Sequence, residues 1–110
     1  MNKVMLIGRL TRDAELKILD SGMVLSFTIA ADRDYTNKNG EKVTDFLPVS
    51  YWTDNGERLV EYLKKGRLIG VSGCIRVKSY KDQEEKTRYF TDIRADEIKF
   101  LDSMKKESVL

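Results

Sequence analysis

Two stretches of the chain set large aromatic side chains beside small or basic ones at strand spacing. From Phe46 to Trp52, the residues Phe46, Pro48, Ser50 and Trp52 fall on one side and Leu47, Val49 and Tyr51 on the other, because successive side chains of a strand alternate. In Leu68–Tyr80, Ile69, Val71, Ile75 and Val77 share one face, and Arg76, Lys78 and Tyr80 share the opposite one. The apolar sets make core faces. Two aromatics beside Pro and Ser, or a Tyr beside Arg and Lys, make poor cores but have a chemical use. A ring left on the surface can stack on the π-face of any nucleobase, worth about 1–3 kcal/mol per base. Nearby cations meet phosphates, an attraction blind to sequence and weakened by salt.

Each residue also has a plainer role. Trp52 fits a plug at the end of a barrel as well as it fits a binding surface. Tyr51 and Tyr62 read as core or half-core. Tyr80, near a hairpin with basic neighbours, reads as surface. Tyr35 lies where strand becomes loop, so parity does not set its direction. Arg9, Arg33, Lys38, Lys64 and Lys65 serve equally as solubilising charges. Cys74 reads as a small filler, since nothing nearby activates a thiol.

The composition closes off other chemistry. There is no histidine, which removes the commonest general base and metal ligand. A lone cysteine leaves no zinc cluster and no internal disulfide. No glycine-rich phosphate loop is present. A catalytic carboxylate pair would rest on chance proximity alone, so no enzyme, cofactor or metal is expected. Net charge is only +2, so contact with a polyanion must depend on where the cations sit. No apolar run reaches the length of a membrane span, and the N-terminal run stops at Gly8-Arg9, too short for a signal peptide. The expected compartment is the cytoplasm.

The elements that must carry these residues are legible in part. Val4–Leu10 is almost continuously apolar, which predicts a strand covered on both faces. Asp20-Ser21-Gly22 marks a turn. Met23, Leu25, Phe27 and Ile29 alternate with smaller residues through a second strand ending near Ala31. Asn37–Gly40 reads as a hairpin tip, and a third strand covers Asp45–Trp52. Asp54 and Glu57 have capping-box spacing, Leu59, Tyr62 and Leu63 share a helical face, and Gly66 is placed to end that helix. A fourth strand spans Leu68–Tyr80, Lys81–Lys86 forms a charged tip, and a fifth runs from Arg88 to about Leu101. The order β-β-β-α-β-β predicts an all-β OB-fold: a five-stranded, partly open barrel with one helix between the third and fourth strands. It fills residues 1–102 as one domain, with a short extension at 103–110.

The same residues resemble the bacterial single-stranded DNA-binding proteins from Asn2 to about Leu101. Asn2-Lys3-Val4-Met5-Leu6-Ile7-Gly8-Arg9-Leu10 looks like that family's first strand, and Asp13-Ala14-Glu15 like its Asp-Pro-Glu. Glu61-Tyr62-Leu63-Lys64-Lys65-Gly66 is similar to the end of its helix. Gly70-Val71-Ser72-Gly73 with Ile75-Arg76-Val77-Lys78-Ser79-Tyr80 is similar to its fourth strand. The resemblance implies base stacking on Tyr35, Phe46, Trp52 and Tyr80, and phosphate contacts from Lys3, Lys38, Arg76 and Lys78. It implies single-stranded DNA as partner, bound without sequence preference in replication, repair, recombination or DNA uptake. It further implies a homotetramer, or failing that a dimer, with the first strand at the subunit interface.

Three departures stand out. Pro48 lies mid-strand, where proline is out of place except at edges and bulges. Asp54 is acidic near the binding surface. The last residues include Lys105 and Lys106 instead of an acidic, apolar tip, so recruitment of partners by such a tip is not expected and an accessory, tailless member is. The alternative of a different class is an OB-fold protein-interaction module, or a primosome-type accessory protein combining both roles.

Overall fold

The computed structural model describes residues 1–102, so the expectations for 103–110 lie outside the described residues. Six strands and one short helix follow in order: β1 Val4–Leu10, β2 Glu15–Leu19, β3 Gly22–Thr36, β4 Lys42–Trp52, α1 Gly56–Leu59, β5 Leu68–Lys81 and β6 Thr87–Phe100. Neighbours pair in the order β1-β5-β6-β4-β3, and β1 returns to β3. Five strands thereby close a barrel, the predicted OB-fold. The closure is narrow in two places. Parallel β4 and β6 pair only over Val49–Tyr51, and β1 meets β3 only at Arg9 and Leu10.

The sixth strand, β2, is a hairpin partner laid on β3, with Leu19 opposite Gly22. Its residues Glu-Leu-Lys-Ile-Leu do alternate polar and apolar over residues 15–18, a strand signal absent from the five strands expected above, although only Leu16 is half-buried. The turn that follows is the plainer sign: Gly22 has φ +134°, a conformation that side chains resist.

Most inward residues are those that alternation predicts, but Ile75 and Val77, predicted on the core face with Ile69 and Val71, are 42 % and 61 % exposed, because β5 has left the barrel there. Leu25, Ile29, Leu63 and Ile69 are wholly enclosed, with Leu10, Phe27, Val49, Val71, Ile93 and Ala95 around them. The helix is shorter than expected. Its N-cap is Asn55, with no side-chain cap, so the predicted Asp54–Glu57 box does not form; the Asn55 N–H instead donates to the Thr53 hydroxyl. Gly56 is pressed beneath Leu16 and Met23. After Val60, Glu61 and Tyr62 donate to carbonyls three residues back, so the regular helix ends. Leu63 nevertheless reaches the core, and Gly66, predicted to end the helix, instead turns at φ +87° well beyond its Val60 C-cap, just before β5.

Pro48 also finds its explanation. Its partner Thr28 accepts the Thr11 N–H at 3.0 Å, so the backbone groups of Thr28 point away from β4. Pro48 therefore turns its nitrogen away from β3, toward the side where β6 pairing has not yet begun. The absent N–H costs the ladder nothing there.

Candidate nucleic-acid interface

Register decides which side chains share a face. Across the β5–β6 pair, Arg76 lies opposite Asp92, Lys78 opposite Phe90 and Tyr80 opposite Arg88. Ser50 of β4 lies opposite Arg94, and across β3–β4 Phe46 faces Ala30 and Trp52 faces Val24. Phe46, Trp52, Tyr80, Arg76 and Lys78 thus occupy one outward surface of the sheet. Phe46 is 64 % exposed, with small Ala30 opposite it, and Tyr80 is 54 % exposed, with Arg88 opposite it. Trp52 is half-buried, its six-membered ring within ordinary contact of a Cβ at Gly22. The ring therefore lies beside the Gly22 turn.

Tyr35 does not join that surface. Arg33 donates to both carboxylate oxygens of Asp45 at 2.9 and 3.0 Å and to the Tyr35 hydroxyl at 2.9 Å. Asp45 alternates with Phe46, so Tyr35 stands with Arg33 on the other side of the β3–β4 arm. This chain of contacts orients the ring. The Arg33 hydrogen bond holds the Asp45 carboxyl below its usual range, against a small opposing effect of burial.

Among the basic candidates, Lys3, Lys38 and Lys78 are exposed. Lys38 sits in the hairpin turn where Asn37 Oδ1 accepts the N–H groups of Asn39 and Glu41. Arg76 differs. It donates to Asp92 at 3.2–3.3 Å and to Ser50 at 3.1 Å, so its charge is already matched and it ties β4, β5 and β6 together. Two exposed aromatics, Tyr89 and Phe90, stand outside the set that the sequence predicts. Alternation extended back from Ile93 places Phe90 outward beside Lys78, and that is the signal that could have found it.

The β5–β6 tip is fixed by Asp82, which accepts from the Glu84 and Lys86 N–H groups and from Arg88 Nε at 2.8–2.9 Å. Arg88 chiefly, then the Lys86 N–H, hold the Asp82 carboxyl below its usual range. A carboxyl depressed in the folded state stabilises fully above its unfolded value, about 3.9, and that stability is lost as pH falls through the lower folded value. The Glu84 and Lys86 amide resonances should therefore hold steady at neutral pH and move toward unstructured positions only below about pH 4. Asp82→Asn should abolish that acid step; a step that persists in the variant would assign it to another group.

Among the described residues no cluster of potential metal ligands forms, and no helix is long and apolar enough to cross a membrane. The single-strand binding protein family model matches residues 1–101. Single-stranded DNA-binding protein 1 of Clostridium acetobutylicum is 40% identical, covering 99% of this chain and 100% of that protein. The single-stranded DNA-binding protein of Clostridium tetani is 44% identical over 98% of this chain and 75% of its own length. Among solved structures, the Plasmodium falciparum SSB complex with ssDNA superposes with a TM-score of 0.80 at 28% identity, covering 93% of this chain and 96% of that one. A barrel with this strand order, an outward aromatic and basic surface and a family match over almost every described residue agree: the chain belongs to the single-strand binding protein family.

Proposed function

We infer that this protein binds single-stranded DNA without sequence preference and acts where DNA is unpaired, in replication, repair, recombination or uptake, within the cytoplasm. The observation that carries the reading is the shared outward face of Phe46, Trp52 and Tyr80 with Lys78. Rings there can stack on bases and the cation can meet phosphate, and neither contact reads sequence. Membership of the family and a structural neighbour solved with ssDNA support it. It is a binding role with no catalytic step. Lys3 and Lys38 extend the contact onto the chain start and the β3–β4 arm, Tyr35 offers its ring on the opposite side of that arm to DNA passing around it, and Arg76 contributes a charge shared with Asp92.

Trp52 is the only tryptophan, so its fluorescence reports one position. Oligo-dT should quench it, and Trp52→Ala should weaken binding by roughly 1–3 kcal/mol while leaving the fold intact. The log–log salt dependence should have a slope of about −0.7 per neutralised phosphate, and Lys78→Ala should flatten it. Unchanged fluorescence at saturating DNA would remove Trp52 from the interface.

The same reading includes assembly as a homotetramer, with a dimer as the minimum. Leu6 and Leu10 of β1 turn into the barrel, but Met5 is 84 % and Ile7 63 % exposed. The strand predicted to be covered on both faces is covered on one within a single chain. Its Val4–Gly8 part pairs with β5 alone, leaving a free edge beside an apolar face.

A further inference from the structure

We propose that Phe90 is an additional base-stacking residue, and that with Arg12 and Lys65 it makes one nucleotide subsite in the groove where β4 and β6 part. This rests on the single-strand reading above and adds residues to it. Pairing between the two strands stops at Val49 and Ile93. Beyond that point a groove of about 650 Å³ opens between them and runs across β3 to the segment before β2. Phe90 walls one end, Arg12 and Lys65 line the other, and Thr28, Pro48 and Ser50 lie between.

The chemistry along the groove suits one nucleotide in order. Phe90 is 47 % exposed and shares its face with Lys78 and Tyr80, so the groove is continuous with the surface already described. Pro48 presents an apolar ring with no N–H that needs a partner, a surface a base can lie against without leaving a donor unsatisfied. At the far end, the Lys65 N–H is fixed by Asp13 Oδ1 at 2.8 Å. The Arg12 and Lys65 side chains have no ion pair among the described residues. The lining carboxylates are mostly matched: Asp92 by Arg76 at 3.2 Å and Asp13 by Lys64 at 3.9 Å. Glu15 alone stays unmatched, and the two cations outweigh it.

The test compares neighbours that point opposite ways. Tyr89 precedes Phe90 and pairs with Ser79, on the other side of the arm. With labelled oligo-dT, Phe90→Ala should weaken binding roughly 5- to 100-fold, Phe90→Tyr should bind like the unaltered chain, and Tyr89→Ala should not change affinity. Arg12→Ala with Lys65→Ala should reduce the salt slope by about 0.7 for each phosphate no longer neutralised. Wild-type affinity in Phe90→Ala would overturn the subsite. So would an equal loss in Tyr89→Ala, which would mark damage to the arm as a whole. An unaltered chain that fails to bind oligo-dT would bring down the single-strand reading and this inference with it.

Discussion

Gly73→Ala should be the most damaging of the glycine-to-alanine substitutions, lowering unfolding free energy by about 3 kcal/mol, the upper end of the usual cost of overpacking. A Cβ at Gly73 would land on the Arg94 carbonyl oxygen and lie 2.9 Å from the Ala95 Cα. Both are backbone atoms of the paired strand, so no side chain can swing aside. The register of β5 against β6 shifts between Ser72 and Gly73, where Ala95 and Glu97 are partners and Asp96 is the extra residue. Such a bulge bends a strand pair and sharpens its twist. Here it turns the barrel portion of β5–β6 into the arm that carries Lys78, Tyr80 and Phe90. Gly73 is therefore a joint between the fold and the binding surface. Gly70→Ala is the control, because its added Cβ makes ordinary contacts only, with the Leu101 side chain at 3.5 Å and the Leu6 carbonyl oxygen at 3.9 Å, and should be near neutral. Denaturant midpoints measure both. Equal midpoints for the two variants would show that β6 moves aside at little cost.

The legible parts of this fold are those where burial writes a pattern. Leu25, Phe27 and Ile29 on one face of β3, and Ile69 and Val71 on β5, announce their strands because one side of each meets the core. Phe46 can be assigned outward for the same reason, by opposition to Leu47 and Val49, whereas parity alone leaves Trp52 between a barrel plug and a surface ring. The signal fails where burial fails. β2 holds on to β3 through backbone pairing and buries little, so its alternation of Glu15, Leu16, Lys17 and Ile18 is too short to stand out from surface sequence. The helical spacing of Leu59 and Leu63 overstates the helix, because Leu63 descends into the core after the regular turn has ended. Tyr35 needs tertiary knowledge: its direction is set by Arg33 and Asp45, and the Asp45 partner comes from the opposite strand. The pairing of Arg76 with Asp92 is likewise a cross-strand event. No spacing along one strand distinguishes a free arginine from a matched one.

Met5→Glu combined with Ile7→Glu should dissociate the proposed homotetramer or dimer and leave a folded, smaller species in sedimentation. Burying a Met or Ile side chain contributes about 1.5–3 kcal/mol, and in a two-fold contact each substitution is made twice. In the proposed contact of β1 with β1 of a second copy, the double variant thus removes both apolar side chains from each copy and sets like charges against each other in their place. Inside one chain these positions do little, since both side chains face outward and the barrel is filled by Leu6 and Leu10 instead. The variant should therefore keep its β-sheet circular dichroism, which separates loss of assembly from loss of fold. Ile18→Glu supplies the contrast: Ile18 is as exposed as Ile7, at 63 % each, but lies on β2, away from the free edge of β1. If exposure of any isoleucine were enough to drive association, Ile18→Glu would lower the mass too. If only the β1 face matters, the mass should respond to Met5 and Ile7 alone. An unchanged mass in the double variant would place the subunit contact elsewhere and leave the apolar face of β1 without a partner, a hazard that edge strands rarely carry.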